Sequence, residues 1–306
     1  MLVFVTGATG FVGRSVVSNL LSHGHRVLAL ARSDKSAASF AGKEGVEIHQ
    51  GSLDELDRLV DGAKKADGVI HLAYKHDFEN YLANAELDVK ITKAFVSALS
   101  GTSKPLVITS ACAGFARDST RDPSQPATED HVFPPGLLGA PRIASEQALA
   151  PLAAQGGRAA VIRLPFSVHG PGDGAFVSAL AGVARDKGVA AYIGDGSNHW
   201  PAVHVDDAAE LYRLALEKAP EGKVSVFHAS NEEDGLALKD MAAIMGKRLD
   251  VPVKSIAQDE AGAHFGWLAM FTGLNVRVAS KKTREELGWK PVRSTLREDL
   301  EAGLYC

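Results

Sequence analysis

The sequence predicts an α/β protein in which a Rossmann-like, doubly wound parallel sheet carries a smaller C-terminal substrate lobe. Short apolar runs alternate with segments of helical periodicity, which is the pattern of βαβ crossovers. A glycine-rich turn joins the first apolar run to the first helical segment. The chain has 306 residues, 45% of them hydrophobic, so it is long enough for a full core and a second lobe.

The first predicted strand is the short, β-branched run Leu2–Val5, after which the apolar residues change to helical spacing. Six further runs have the length and composition of buried parallel strands. They are Arg26–Ala31, Val46–Ile48, Gly68–Leu72, Pro105–Thr109, Ala159–Leu164 and Val224–His228. The last run is expected to return to the sheet after the chain has entered the second lobe.

Residues 116–141 interrupt this alternation with five prolines and several acidic residues. This composition predicts an irregular surface loop near a ligand. A second cluster of glycine and proline occupies residues 165–174. We therefore assign residues 1–164 and about 203–229 to a dinucleotide-binding domain. Residues from about 165 to 202, together with 230–306, are assigned to a substrate-binding lobe.

The turn after the first strand reads Thr-Gly-Ala-Thr-Gly-Phe-Val-Gly over residues 6–13. Its three glycines permit a tight turn, close approach of a ligand and packing of the helix on the strand, in that order. Free backbone N–H groups and the positive end of the helix dipole meet there, which suits a pyrophosphate. An ordinary strand–helix turn is the alternative, but the flanking strand and helix favour a dinucleotide. Its expected contacts are Gly7, Thr9, Gly10, Phe11 and Val12.

The end of the second strand indicates which dinucleotide binds. An acidic residue there normally holds the ribose hydroxyls of NAD, but this chain has Arg32 and Ser33. Both side chains can bind a 2′-phosphate through charge-assisted hydrogen bonds. We therefore predict NADP as the cofactor, with NAD as the alternative if Arg32 is only a solvated cation at the strand end.

Composition and charge give no support for several classes of partner. The formal net charge is −4 and no long basic run is present, so nothing favours nucleic acid or an anionic membrane surface. No run approaches the length of a membrane span, and no signal peptide precedes the first strand, which predicts a cytoplasmic protein. Cys112 and Cys306 are the only cysteines, so no metal site is expected.

Further short motifs follow the glycine turn: Gly51-Ser52-Leu53, His71-Leu72-Ala73, Thr109-Ser110-Ala111, His169-Gly170-Pro171-Gly172-Asp173, Gly194-Asp195-Gly196, His204-Val205-Asp206-Asp207 and Leu287-Gly288-Trp289-Lys290-Pro291. In this order, over nearly the whole chain, they resemble the extended short-chain dehydrogenase/reductase superfamily, which includes NAD(P)-dependent epimerases and dehydratases. The resemblance implies that the cofactor also contacts Ser52, Leu53, Leu72, Ala73, Thr109, Arg142 and Pro165.

The catalytic motif of that superfamily is altered in this chain. A Tyr-x-x-x-Lys pair normally exchanges a proton with the substrate oxygen. Here Leu138 and Arg142 occupy those positions. Leu138 cannot donate a proton, whereas Arg142 keeps a positive charge that can hold the nicotinamide ribose or, alternatively, faces solvent. The sequence is most similar to an atypical subgroup with His-x-x-x-Arg, of which only the arginine is present.

Four other residues are candidates for the proton chemistry. Ser110 matches the family serine that hydrogen-bonds the reacting oxygen, although an ordinary strand-end serine is the alternative. Tyr74 and His76 follow the fourth strand, and either side chain can replace the missing phenol or serve only in binding. His131, in the proline-rich loop, is a further candidate or a surface histidine.

The substrate side of the predicted site also departs from the family. Trp200 stands where nucleotide-sugar enzymes place an arginine for the substrate phosphate, so a diphosphate ligand loses its anchor. His169 and His204 match positions that normally carry tyrosine and are expected to line the pocket, with packing as the alternative. Asp88 replaces the asparagine that steadies an active-site water.

These features predict an NADP-dependent oxidoreductase acting on a small, fairly apolar carbonyl or hydroxyl substrate. An epimerase- or dehydratase-type isomerase or lyase is one alternative, and a non-catalytic NADP-binding sensor is another. The resemblance further implies a homodimer formed through helices near residues 85–99 and 142–155.

Overall fold

The computed structural model describes residues 1–77, 80–134, 142–231 and 235–306. Its strands are β1 (Leu2–Thr6), β2 (Arg26–Ala31), β3 (Val46–Gln50), β4 (Gly68–His71), β5 (Pro105–Ala111), β6 (Arg158–Leu164), β7 (Ser167–His169), β8 (Ala190–Ile193), β9 (His199–Trp200), β10 (Ala202–His204), β11 (Val224–His228), β12 (Leu236–Ala237) and β13 (Val253–Ile256).

The helices are α1 (Phe11–Ser22), α2 (Asp34–Ala38), α3 (Leu56–Lys65), α4 (Tyr81–Leu99), α5 (Arg142–Gln147), α6 (Ala150–Ala154), α7 (Phe176–Lys187), α8 (Val205–Lys218), α9 (Leu238–Leu249), α10 (Ala261–Phe265), α11 (Ala269–Thr272), α12 (Lys281–Leu287) and α13 (Leu296–Glu301). Short 3₁₀ helices lie at Cys112–Arg117, Gln258–Glu260 and Gly266–Leu268.

Seven parallel strands form the main sheet in the order β11-β6-β5-β4-β1-β2-β3. The predicted doubly wound parallel sheet is thereby confirmed, including the return of the strand Val224–His228 beside β6. The strand order reverses between β1 and β4. In such sheets a ligand binds outside the carboxyl ends of the strands at this reversal, which is where the glycine turn lies.

Helices cover both faces of the sheet. Alternate side chains of β1 point to opposite faces and pack against different helices. Val3 packs in one buried cluster with Leu20 of α1 and Tyr212 of α8. Phe4 packs in a second cluster with Phe95 of α4. Burial on both faces explains why the strand sequence is continuously apolar.

The C-terminal part of the chain forms a third buried cluster beyond the sheet. Helices α7, α9 and α10 contribute Leu180, Met241 and Phe265 to it. The segment after β5 joins the same cluster through Phe115 and Phe133. Between residues 118 and 134 the described backbone has no helix or strand, only the isolated bridge of Ala127 with Val278. The domain boundaries given above stay a prediction.

Two features are absent from the described ranges: a helix that could span a membrane and a cluster of metal-binding side chains. Within residues 1–77, 80–134, 142–231 and 235–306, none of the helices combines the length and apolar character required to cross a lipid bilayer. The same residues hold no group of three or more His, Cys, Asp or Glu side chains arranged for a metal ion.

Candidate active site

The glycine turn lies at the carboxyl end of β1 and is sterically closed at two positions. Gly7 has a φ of +71°. A Cβ atom on Gly7 would lie 2.8 Å from the backbone nitrogen of Ala73, and one on Gly13 would lie 2.0 Å from the carbonyl oxygen of Gly7. The Gly10 N–H donates to the Gly7 carbonyl at 2.9 Å and closes the turn. These positions therefore require glycine.

Helix α1 follows the turn with its first N–H groups uncapped by any side chain in the described chain. The first turn of an α-helix leaves several N–H groups without intrahelical partners, and here they belong to Phe11 and its neighbours. Nε of Arg14 donates to the Thr9 carbonyl at 2.9 Å and fixes the outer side of the turn. The predicted contact of Phe11 and Val12 with phosphate oxygens stays a prediction.

The residues predicted to select the cofactor lie at the same edge of the sheet. Arg32 and Ser33 are exposed directly after β2. Ser33 also caps α2, because its Oγ accepts the Ser36 N–H at 3.2 Å. Ser52 follows β3 and its N–H donates to the Glu55 carboxylate at 2.8 Å. Leu53, the next residue, packs against the cluster that contains Phe4.

The carboxyl ends of β1 and β4 are joined by side-chain contacts. The Ala73 N–H donates to Oγ1 of Thr6 at 3.2 Å, and the same oxygen lies 2.6 Å from Nδ1 of His71. The Leu72 N–H donates to the Thr6 carbonyl at 3.3 Å. Oγ1 of Thr109 on β5 donates to the His71 carbonyl at 2.9 Å. These contacts hold the segment after β4 against the glycine turn.

Helix α5 directs Arg142, Ser145 and Glu146 to one side, as their spacing of three and four residues requires. The Arg142 side chain is only 15% exposed. Its Nη2 donates to the Thr109 carbonyl, and its Nε lies 3.5 Å from Oδ2 of Asp88 on α4. Oγ of Ser145 donates to the same carboxylate oxygen at 2.5 Å. Arg142 is therefore held inside the site rather than facing solvent.

Tyr74 lies on this guanidinium. The Cζ atom of Arg142 is 4.2 Å from the centre of the Tyr74 ring, which is a cation–π contact. The Tyr74 hydroxyl oxygen is buried and has no hydrogen-bond partner in the described part of the chain. Burial raises the pKa of Tyr74 to about 12, although the positive charge of Arg142 acts in the opposite direction. The phenol is consequently protonated at neutral pH, and its O–H group is unsatisfied.

His76 also contacts the Tyr74 ring. The two rings meet edge to face with 5.3 Å between their centres. Partial desolvation and the Arg142 charge lower the pKa of His76, so its ring is neutral at pH 7. His131 belongs to a different group of contacts: its Nε2 lies 2.6 Å from Oδ2 of Asp118. The structure thus brings Tyr74, His76 and Arg142 together.

Ser110 belongs to a second buried network. Its Oγ donates to Oε1 of Glu146 at 2.5 Å. Nη2 of Arg163 on β6 donates to Oε2 of the same carboxylate at 2.7 Å, and Nη1 of Arg163 lies 3.4 Å from Nε2 of His228. The hydroxyl hydrogen of Ser110 is therefore directed to Glu146. Its predicted contact with the reacting oxygen stays a prediction.

An aromatic cluster follows the carboxyl end of β6. Pro165 directly follows that strand and is buried. The next residue, Phe166, packs on Trp200 with 5.4 Å between ring centres. Trp200 is fully buried and also contacts Phe176 at 5.9 Å. Phe271 packs on Phe176 at 4.9 Å. Trp200, which stands where the family places a phosphate-binding arginine, is thus part of a buried apolar cluster.

The two predicted pocket histidines, His169 and His204, are packed between β7 and β10. They oppose each other in the strand register, with 5.5 Å between ring centres. Nδ1 of His169 lies 2.6 Å from Oδ2 of Asp299. Nδ1 of His204 accepts the Asp206 N–H at 3.1 Å and so caps α8. Their contact with a substrate stays a prediction, and Leu138 lies outside the described residues.

Comparison with known proteins identifies the family. The family "NAD dependent epimerase/dehydratase" matches residues 3–227. The chain belongs to this family. A protein of Schizosaccharomyces pombe described as uncharacterized is 44% identical over 305 residues, which cover 100% of both chains. The sterol-4-alpha-carboxylate 3-dehydrogenase (decarboxylating) of Dictyostelium discoideum is 31% identical over 248 residues, covering 76% of this chain and 71% of the relative.

A solved structure of the same fold supports the architecture. MoeE5 in complex with UDP-glucose and NAD has a TM-score of 0.76 and 20% sequence identity. The match covers 99% of this chain and 97% of that protein. This likeness confirms the Rossmann-like fold of the epimerase/dehydratase family.

Several residues of the site were not assigned a role from the sequence. Glu146 and Arg163 form a buried ion pair, and His71 connects Thr6 to Asp88. One signal was available: Arg163 is a charged residue inside an otherwise apolar strand, where burial requires a partner. No comparable signal pairs Asp88 with Arg142, because the two residues meet only through the packing of α4 against α5.

Proposed function

We propose that this member of the epimerase/dehydratase family is an NADP-dependent oxidoreductase in which Tyr74 replaces the missing phenol. The observation that carries the proposal is the unsatisfied Tyr74 hydroxyl, buried over the Arg142 guanidinium at the carboxyl end of β4. A buried hydroxyl without a partner is unfavourable unless a ligand completes its hydrogen bond. A substrate oxygen would do so.

The chain's own residues fit the dinucleotide. The close contacts of Gly7 and Gly13 form a cradle that any Cβ would obstruct, and the uncapped start of α1 offers N–H groups to a pyrophosphate. When bound, the nicotinamide would supply the hydride or accept it. Arg32 and Ser33, exposed at the end of β2, would hold the 2′-phosphate that distinguishes NADP from NAD.

Tyr74 would act as the proton donor during reduction. Its pKa of about 12 keeps the phenol protonated at neutral pH, so its hydrogen can pass to a carbonyl oxygen that gains negative charge. Arg142, whose guanidinium lies 4.2 Å from the ring centre, would stabilise the phenolate that remains. In the oxidation direction the same atoms would move the proton from a substrate hydroxyl to Tyr74.

The surroundings support a small, fairly apolar substrate. Ser110 lies on β5, and Phe166 follows the neighbouring strand β6 and packs on Trp200 in the aromatic cluster. Trp200 stands where the family places a phosphate-binding arginine. An indole offers one N–H donor and no positive charge, so the cluster suits a carbonyl compound better than a diphosphate. The related sterol carboxylate dehydrogenase is also an oxidoreductase by name.

NADPH consumption in the presence of a panel of aldehydes, ketones and enones tests the proposal. We expect turnover with at least one apolar member of the panel, a large loss of kcat in Tyr74→Phe and unchanged NADPH affinity in that variant. His76→Phe is the matched control on the neighbouring ring, and it distinguishes the phenol from the imidazole as donor. Tight NADPH binding without turnover of any substrate would contradict the proposal and favour a sensor.

A further inference from the structure

Three buried polar side chains form a row between the end of β1 and the Arg142 guanidinium. The residues Thr6, His71 and Asp88 are 0%, 1% and 4% exposed. Burying a carboxylate costs free energy unless charged and hydrogen-bonding partners compensate for the lost water. Asp88 has such partners, and all of them lie at the site.

Thr6, His71 and Asp88 contact one another in that order, and a hydrogen bond joins the first two side chains. The Ala73 N–H occupies one acceptor position on Oγ1 of Thr6, at 3.2 Å. The Thr6 hydroxyl hydrogen is then free to be donated to Nδ1 of His71, 2.6 Å away. An imidazole that accepts at Nδ1 carries its hydrogen on Nε2. Nε2 of His71 faces Oδ1 of Asp88 at 3.3 Å.

The second carboxylate oxygen of Asp88 contacts two side chains of α5. Oδ2 accepts the Ser145 hydroxyl and lies 3.5 Å from Nε of Arg142. Burial acts to raise the pKa of Asp88, but the Arg142 charge and the contacts with His71 and Ser145 outweigh it, so this pKa lies below its usual value. Asp88 is therefore ionised and compensates part of the Arg142 charge.

The charged and titratable groups around Tyr74 come from three elements. Arg142 on α5 favours the phenolate, whereas Tyr81 and Asp88 on α4 oppose it. His76 lies in the same segment as Tyr74 and has a lowered pKa, so it is neutral at pH 7. Arg117 of the 3₁₀ helix after β5 acts on Tyr81. The carboxylate of Asp88 raises the pKa of Tyr74 by its negative charge.

We propose that Asp88, in contact with His71 and Ser145, is a positioning residue that holds the Arg142 guanidinium against the Tyr74 ring, where it assists proton donation by the phenol. This inference rests on the proposed function, because it assigns the proton to Tyr74. Without the Asp88 charge, Arg142 would lose one of its anchors. Its uncompensated charge would also lower the pKa of Tyr74.

Asp88→Asn, which keeps the shape of the side chain and removes its charge, tests the proposal. We expect kcat to fall about tenfold or more, since a misplaced acid loses part of the two to four orders of magnitude that general acid catalysis supplies. The Kd for NADPH is measured in parallel, because Arg142 is also expected to contact the cofactor, and kcat is compared at saturating NADPH. The alkaline limb of the kcat profile should move to lower pH.

A second measurement does not depend on turnover. The ultraviolet absorbance of tyrosinate, compared between each protein and its Tyr74→Phe derivative, gives the pH at which Tyr74 ionises. We expect this pH to be lower in Asp88→Asn than in the parent. Asp61→Asn, which removes a charge from an exposed ion pair with Lys65, is the matched control and should change neither kcat nor the ionisation of Tyr74.

The outcomes separate this inference from the proposed function. Parent-like kcat and parent-like ionisation of Tyr74 in Asp88→Asn would overturn the role of Asp88, even in an active enzyme. An inactive parent would overturn the proposed function, and the ionisation of Tyr74 would then decide the role of Asp88 alone. If Asp88→Asn does not fold, Thr6→Val removes the hydroxyl that orients His71 without changing any charge. That variant should lower kcat at saturating NADPH, and Thr6→Ser, which keeps the hydroxyl, should restore it; parent-like kcat in Thr6→Val would overturn the inference.

Discussion

Gly13→Ala, which adds one methyl group at the start of α1, is expected to distort the glycine turn. A Cβ atom at residue 13 would lie 2.0 Å from the carbonyl oxygen of Gly7, about 1.4 Å short of the 3.4 Å at which ordinary contact begins. The obstructing atom is backbone and belongs to the turn itself. The turn must therefore move away from the helix, which would misplace the N–H groups proposed to bind the pyrophosphate.

The size of the effect follows from overpacking. Forcing one methyl group into a closely packed site costs about 1–3 kcal/mol of stability. We expect a comparable loss in binding, so that the Kd for NADPH rises about tenfold or more. Gly182→Ala is the matched control, because residue 182 lies inside α7 and a Cβ there would meet no atom within 4 Å. That control should be neutral or stabilising by about 1 kcal/mol.

Thermal unfolding and calorimetric titration with NADPH measure both effects. Gly13→Ala should show a lower Tm and weaker binding, whereas Gly182→Ala should retain both values. A Gly13→Ala protein that binds NADPH as tightly as the parent would refute the steric reasoning. It would also show that the turn adapts or that the cofactor binds elsewhere.

Two further predictions concern charge. Arg32→Ser should weaken NADPH binding about tenfold and leave NADH binding nearly unchanged, because one charge-assisted contact with the 2′-phosphate is lost; Arg26→Ser, at the other end of β2, is the control, and equal losses for both cofactors in calorimetry would contradict the assignment. Burial and the Arg163 charge lower the pKa of His228 from 6.5 to about 3, so the unfolded chain binds a proton that the folded chain excludes. The contribution of His228 to the free energy of unfolding is fully present above pH 6.5. It should fall as the pH drops towards 3, by up to about 1.4 kcal/mol per pH unit. Chemical denaturation between pH 7 and 4 should show a weaker pH dependence in His228→Asn; the same pH dependence as in the parent would contradict a buried neutral imidazole.

The sequence predicted the sheet and the glycine turn because both depend on local rules. The apolar runs have the period and length of buried strands, and the glycine spacing reflects contacts within a few residues of Gly7 and Gly13. The seventh strand, Val224–His228, was also predicted, because its composition matches that of the other six strands. In each case the residues that determine the strand or turn lie within that strand or turn.

The arrangement of the side chains at the site could not be predicted in the same way. Tyr74 and Arg142 were both named as candidates, but their contact depends on how β4, α4 and α5 pack together. Ser110 was placed correctly at the end of a strand, whereas its bond to Glu146 follows from the orientation of a helix after the proline-rich segment. Hydrogen-bond direction at His71 likewise arises only once β1 and β4 are adjacent. Cytoplasmic location and homodimer formation stay predictions.

The rate of NADPH oxidation in a single turnover, compared between the parent and Tyr74→Phe, tests the central claim most directly. The substrate is the member of the carbonyl panel that the parent turns over fastest, and both proteins are saturated with NADPH. Removing the phenol hydroxyl should slow the reaction by about 10²–10⁴-fold, which is the usual contribution of a positioned general acid. The affinity for NADPH should not change. An equal rate in the two proteins would contradict the assignment of the proton to Tyr74.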